Sequence, residues 1–133
     1  MAEKLAYLSE EWRVEAEKRL KEVLPPEKMN HITSSMTNIY KNCPGGKEKY
    51  FYFNYVKGKL VDLEIGEGKP PAAEFTITGN YDIFAKVTKQ EMGSQRALMT
   101  GKVKLRGNLV KALKLAAVSD RIQKVLSSIP AVY

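Results

Sequence analysis

The sequence contains a single cysteine, Cys43, and a single histidine, His31. One thiol cannot close an internal disulfide, and one imidazole leaves the Ser-His-Asp, Cys-His and zinc constellations without members or partners. A nucleophilic or metal-dependent enzyme is therefore not expected, and no cofactor is implied. A lone Cys beside Pro44-Gly45-Gly46 reads as an inert loop thiol. Glycine-rich phosphate cradles are missing as well: Gly66-Glu67-Gly68 has no third glycine in register and no helix behind it. Long apolar runs are also absent, the longest spanning a few residues against the roughly 20 that a membrane span requires. Met1-Ala2-Glu3-Lys4 leads into a charged amphipathic pattern instead of the apolar core of a secretory signal, and Pro130-Ala131-Val132-Tyr133 lacks the Ser-Lys-Leu type of peroxisomal address. These absences favour the cytoplasm.

With 133 residues, 44% of them hydrophobic and 28% charged, the chain fits one ordinary folded domain over residues 1–133. The net charge of +7 is unevenly placed. Residues 1–30 hold 6 basic against 7 acidic side chains, whereas residues 71–133 hold 10 against 4. The basic surface belongs to the C-terminal half.

Leu5, Leu8, Trp12, Ala16, Leu20 and Val23 recur at three- and four-residue steps and predict an amphipathic helix over about residues 8–24. Ser9 before Glu10-Glu11 suits its start, and Pro25-Pro26 ends it. Residues 31–40 read as a strand of modest quality. Tyr50 to Val56 and Leu60 to Ile65 read as a hairpin turning on Lys57-Gly58, with Asp62 and Glu64 as a solvated face rather than acid–base machinery. Residues 73–78 read as a fourth strand, and Thr78 or Asn80 can cap a helix carrying Ile83, Phe84 and Val87. Lys102 to Arg106 alternates as a fifth strand with its basic residues on one face. The apolar stripe that follows changes face by about half a turn, which one straight helix does not do. Two helices are expected, broken near Ser119-Asp120, where Asp120 and Gln123 have capping-box spacing.

Aromatics Tyr50 to Tyr55 near basic residues invite a nucleic-acid-binding alternative, because sheet-borne aromatics stack bases. Packing of a central strand against helices explains them better. The basic stripe Lys102, Lys104, Arg106, Lys111 and Lys114 fits a solvated face, a phosphate surface or an anionic-lipid surface. An accessory module that presents an edge or its C-terminal helices to an enzyme is a third alternative.

Residues 95–115 are the informative segment. Gln95, Ala97, Leu98-Met99-Thr100-Gly101-Lys102-Val103-Lys104-Leu105-Arg106-Gly107-Asn108, then Ala112, Lys114 and Leu115, resemble the C-terminal signature of the sterol-carrier-protein type-two family. Ala73 to Thr78 resembles the family's strand that leads into its middle helix, and the element order matches from about Thr33 to Ile129. The resemblance implies an α+β fold: a five-stranded, mostly antiparallel sheet with helices packed on one side and an apolar cavity between them. It implies a non-enzymatic lipid-binding or transfer protein taking fatty acid, fatty acyl-CoA or sterol-like ligands. Candidate wall residues are Phe75, Ile77, Ile83, Phe84, Val87, Gln95, Leu98, Met99, Val103, Leu105, Leu109, Ala112, Leu113 and Ala116. Met99, which adapts its shape, and the small Ala112 and Ala116 are favoured among them. Lys102, Lys104, Arg106, Lys111 and Lys114 form the candidate rim, for an anionic head group or membrane surface. Nucleic acid is not an expected partner.

Overall fold

The computed structural model describes residues 4–133, so residues 1–3 of the N-terminal stretch read above lie outside the described residues. The chain runs β1 (Leu5–Ala6), α1 (Glu10–Val23), β2 (Ser34–Lys41), β3 (Lys49–Val56), β4 (Lys59–Glu67), β5 (Phe75–Asn80), α2 (Tyr81–Thr88), α3 (Ser94–Met99), β6 (Val103–Arg106), α4 (Leu109–Lys114), α5 (Ala116–Ser127) and β7 (Ala131–Val132). Five strands form one sheet in the order β4-β3-β2-β5-β6. Within this sheet the β2/β5 pair is parallel, and the β2/β3, β3/β4 and β5/β6 pairs are antiparallel. The β3–β4 turn needs two left-handed residues, Lys57 at φ 50° and Gly58 at φ 83°. Gly58 is also tight, since a Cβ there would lie 2.8 Å from the Pro26 Cα.

Strand alternation sorts the aromatic run between two faces. Phe51, Phe53 and Tyr55 face the helices, as Trp12 packing edge-on against Phe51 at 5.6 Å shows. Tyr50 and Tyr52 lie on the other face, where Tyr50 covers Gly66 across the strands and donates its hydroxyl to Glu64 at 2.6 Å. Tyr50, Phe51, Tyr52 and Tyr55 are all buried, so no open stacking platform for bases exists on β3.

In α1, Ser9 caps the first turn by accepting the Trp12 N–H at 3.2 Å, and Trp12, Ala16 and Leu20 form the buried stripe. Val23, expected on that stripe, is 48% exposed, and Leu24 takes the buried place instead. Arg13 pairs with Glu10 and Glu17, and Arg19 with Glu15, along the wet side. Leu5 and Leu8 do not belong to the helix. Leu5 lies in β1, which pairs in parallel with β7, and Leu8 turns the chain at φ 68°.

The C-terminal break is a second correction. It falls at Leu115, and Ser119 and Asp120 lie inside α5. Leu115 N–H contacts both the Lys111 and Ala112 carbonyls at 3.1 Å, a tightened last turn that lets the chain change direction. Asp120 caps nothing; it accepts a hydrogen bond from the Ser94 hydroxyl at 3.3 Å. Nor does Asn80 cap α2 with its side chain, which accepts from the Asn42 amide at 2.8 Å.

Trp12, fully buried, meets Tyr7 edge-on at 4.9 Å as well as Phe51. Trp12→Ala is expected to cost about 3–5 kcal/mol. By contrast, Tyr55→Phe deletes a buried hydroxyl with no partner among the described residues. It should leave stability unchanged or raise it by about 1 kcal/mol. Urea melts of both variants measure the difference.

Candidate functional site

The helical layer does not cover the sheet evenly. Two long helices, α1 and α5, pack together, with α1 over the β4 side. The β5/β6 side is roofed by α3 and α4, which bury only Ala97 between them. A cavity of about 90 Å³ lies in the remaining space. Its floor is the sheet: Met36 and Asn38 of β2, Phe53 of β3, Ile77 of β5, and Val103 and Leu105 of β6. Phe84 and Val87 of α2 close one side, and Ser119, Ile122 and Gln123 of α5 another. Ser94, Gln95, Ala97 and Leu98 of α3, Ala112 and Leu113 of α4, and Ala116 of α5 complete it. A further void of about 30 Å³ shares Met36, Phe53, Ser119 and Ile122 and continues under α5 to Ile32, Tyr55 and Val118.

Of the wall residues expected from the sequence, Ile77, Phe84, Val87, Gln95, Leu98, Val103, Leu105, Ala112, Leu113 and Ala116 line this cavity. Phe75, Ile83, Met99 and Leu109 do not. Phe75 is fully buried, its ring lying over Gly107, where a Cβ would sit 2.7 Å from the Phe75 Cδ1. Ile83, partly buried, packs against the core instead. Met99, at the end of α3, is 75% exposed, and Leu109, in the first turn of α4, is 49% exposed. Met36, Asn38, Phe53, Ser94, Ala97, Ser119, Ile122 and Gln123 are not among the expected residues. Most come from β2, β3 and α5, outside the signature segment, and no local motif marks them.

The basic residues do not act as one group. Val103 and Leu105 face the cavity, so Lys104 and Arg106 point to the opposite side of the sheet. Lys111 donates to Glu74 at 2.5 Å. Lys102 and Lys114 are exposed and form no ion pair among the described residues.

One polar chain reaches the cavity from within the core. Tyr40 and Tyr7 hydroxyls lie 3.2 Å apart, Tyr7 lies 3.0 Å from Thr88 Oγ1, and Thr88 donates to Gln123 Oε1 at 3.2 Å. Burial pushes the Tyr7 and Tyr40 phenols well up, against hydrogen bonds from Thr88 on the one and from Tyr7 and Asn38 on the other. The chain stays neutral through the physiological range. The Cys43 thiol is likewise raised by burial and donates to the Tyr40 carbonyl at 3.4 Å, a structural role. Among the described residues no cluster of His, Cys, Asp and Glu converges on a metal site, and no helix is long and apolar enough to cross a membrane.

A five-stranded α+β sheet with helices on one face and an apolar cavity beneath the shorter ones defines the sterol-carrier-protein fold. The chain belongs to the SCP-2 sterol transfer family, whose sequence profile matches residues 18–120. It is similar to a crystal structure of sterol carrier protein 2, with 19% identity, a TM-score of 0.80, and coverage of 92% of this chain and 98% of that one. A conserved hypothetical protein from Thermus thermophilus, named as a candidate sterol carrier protein, gives 18% identity and a TM-score of 0.79, covering 98% of this chain and 94% of that one. Palmitated SCP2L2 from Aedes aegypti gives 18% identity and a TM-score of 0.58, covering 93% and 99%. No curated protein matches the chain.

The roof helix α4 is held to the sheet by one ion pair. Glu74, just before β5, accepts from Lys111 of α4 and from the Ser34 hydroxyl at 2.8 Å, and Lys111 holds its carboxyl below the usual range. A depressed carboxyl pKa stabilises above the ordinary glutamate range, and that stability is lost as pH falls through the folded value. The pair is half exposed, so Lys111→Ala should speed amide exchange at Ala112 and Leu115 by no more than about fivefold at neutral pH. Wild type and variant should converge once acid protonates Glu74. Hydrogen exchange measured across pH checks both statements.

Proposed function

We propose that the chain is a non-catalytic carrier that takes the apolar part of a fatty acid, fatty acyl-CoA or sterol-like lipid into the cavity beneath α3 and α4. The observation that carries this reading is the roof itself. Two six-residue helices with a single buried residue between them cover an apolar cavity floored by five side chains of β2, β5, β6 and β3 besides Asn38. Membership of the SCP-2 sterol transfer family and the likeness to a palmitated relative support it. The cavity is smaller than the roughly 300–1,000 Å³ of pockets that enclose a drug-sized ligand. An occupant of that size must therefore lift α3, α4 or both, and these are the helices with least to lose.

The energetics favour recognition of the tail. At about 0.8 kcal/mol per buried methylene, a sixteen-carbon chain offers roughly 12 kcal/mol gross, against about 0–1 kcal/mol for an exposed ion pair to its head. Association costs at least ~4 kcal/mol, which leaves an affinity around the micromolar range. The same reading includes contact with an anionic membrane during transfer. Met99, Leu109 and Val110 expose apolar surface on the roof helices, near the unpaired Lys102 and Lys114.

Two variants separate wall from rim. Ala116→Phe, which fills the cavity, should weaken palmitate binding at least about tenfold while shifting the melting temperature by less than ~2 °C; overpacking a solid core would instead cost ~1–3 kcal/mol. Charge reversal at Lys102 and Lys114 should spare palmitate affinity but slow transfer to phosphatidylserine vesicles, the difference shrinking in high salt. Native mass spectrometry that finds no palmitate bound to the wild type would count against the carrier reading.

A further inference from the structure

One atom in the cavity floor is at odds with its surroundings. Asn38 sits in the central strand, flanked across the sheet by Phe51 and Ile77 and along the strand, on the same face, by Met36 and Tyr40. It is 6% exposed and lines the cavity, and its Oδ1 is buried with no hydrogen-bond partner among the described residues. The Tyr40 hydroxyl, next on that face, lies 3.2 Å from the Tyr7 hydroxyl. The acceptor of a cavity-lining side chain is therefore left without a partner.

A buried acceptor without a partner is costly, and a leucine-shaped side chain at this point of an apolar face would avoid the cost altogether. We propose that Asn38 is the polar recognition residue of the cavity and that its Oδ1 accepts a hydrogen bond from a hydroxyl on the bound lipid, selecting an alcohol over an analogue that cannot donate. The proposal rests on the carrier reading and adds to it which polar group enters the cavity. An ionised carboxylate offers no proton to Oδ1 and would bring a charge beside a buried acceptor. A hydroxyl offers one donor and carries no charge. The apolar body then supplies affinity, and the single hydrogen bond supplies discrimination, because an analogue that cannot donate leaves Oδ1 unpaired in the complex. Long-chain alcohols and sterols share this chemistry.

The test compares each alcohol with its own methyl ether: 1-hexadecanol against hexadecyl methyl ether, and cholesterol against cholesteryl methyl ether, with palmitate as the reference for the cavity itself. Wild-type protein should bind the alcohol of at least one pair roughly tenfold more tightly than the ether. The pair that shows the preference identifies the source of the hydroxyl. Asn38→Leu should abolish the preference, bringing each alcohol and its ether to within about twofold of one another; Asn38→Val serves the same purpose should the larger side chain disturb the fold. Circular dichroism and melting confirm each variant. Palmitate bound by the wild type without an alcohol preference, or a preference that survives both substitutions, would assign Oδ1 to a resident water and overturn the proposal. Failure of the wild type to bind palmitate and both alcohols alike would remove the carrier reading, and this inference with it.

Discussion

Everything about the site follows from one mismatch: the sheet is broader than the well-anchored helices that lie on it. Trp12, Ala16 and Leu20 of α1 and Val118, Ile122, Val125 and Leu126 of α5 are buried, and these stripes satisfy the layer on one side of the sheet. On the β5/β6 side the chain supplies six-residue helices instead. A helix that short has little cooperativity of its own and depends on packing for its stability, yet α4 buries no residue at all. A solid core would require large side chains there. The sequence places Ala97, Ala112 and Ala116 at those positions, and the cavity is what remains.

The opposite end is closed by different means. Tyr7, brought in by the β1/β7 pair, touches Trp12, Tyr81 and Tyr133 with its ring and extends the hydroxyl chain from Tyr40 to Thr88. Lys89 adds a cation–π contact over the Tyr133 ring at 5.4 Å. Arg19 ties α1 to the end of α5 through the Ser128 carbonyl at 2.8 Å, and Arg121 ties α5 to the Lys28 carbonyl at 2.5 Å. Such cross-links stiffen the frame while the roof carries a single half-exposed ion pair. Local opening concentrates where few apolar contacts are lost, so opening is expected at α3 and α4 before the frame. Gln123 belongs to both regions, ending the hydroxyl chain and lining the cavity.

Elements with strong local periodicity are legible in the sequence alone: α1, the β3–β4 hairpin, β5, α2 and β6 fall within a few residues of their expected places. Residues of the signature segment and Ala116 contribute much of the cavity lining. What escaped was set by distance along the chain. β1 and β7 are two residues each and exist only because the two segments meet, so helical spacing drew Leu5 and Leu8 into the wrong element. The shift of the apolar stripe announced two C-terminal helices, but a plausible capping pair at Asp120 and Gln123 drew the break away from Leu115. Met99 and Leu109 looked like wall residues because they are apolar and inside the signature, and their exposure reflects the short helices that carry them. Asn38 gave no signal at all. An asparagine in a Thr- and Ser-rich strand reads as solvated, and only the register beside Phe51 and Ile77 shows that it is enclosed.

The central claim, that the space beneath α3 and α4 is a lipid site, is tested most directly by methyl-resolved NMR of the protein with protonated palmitate. Intermolecular NOEs are predicted to Ile77 and Leu105 in the floor, Leu98 and Leu113 in the roof, and Ile122 of α5. Shifts at α4 amides should accompany them, while Leu5, Leu20 and Leu24 stay silent. NOEs confined to the exposed Met99, Leu109 and Val110, with none to Ile77 or Leu105, would show that lipid only coats the surface and would contradict the account.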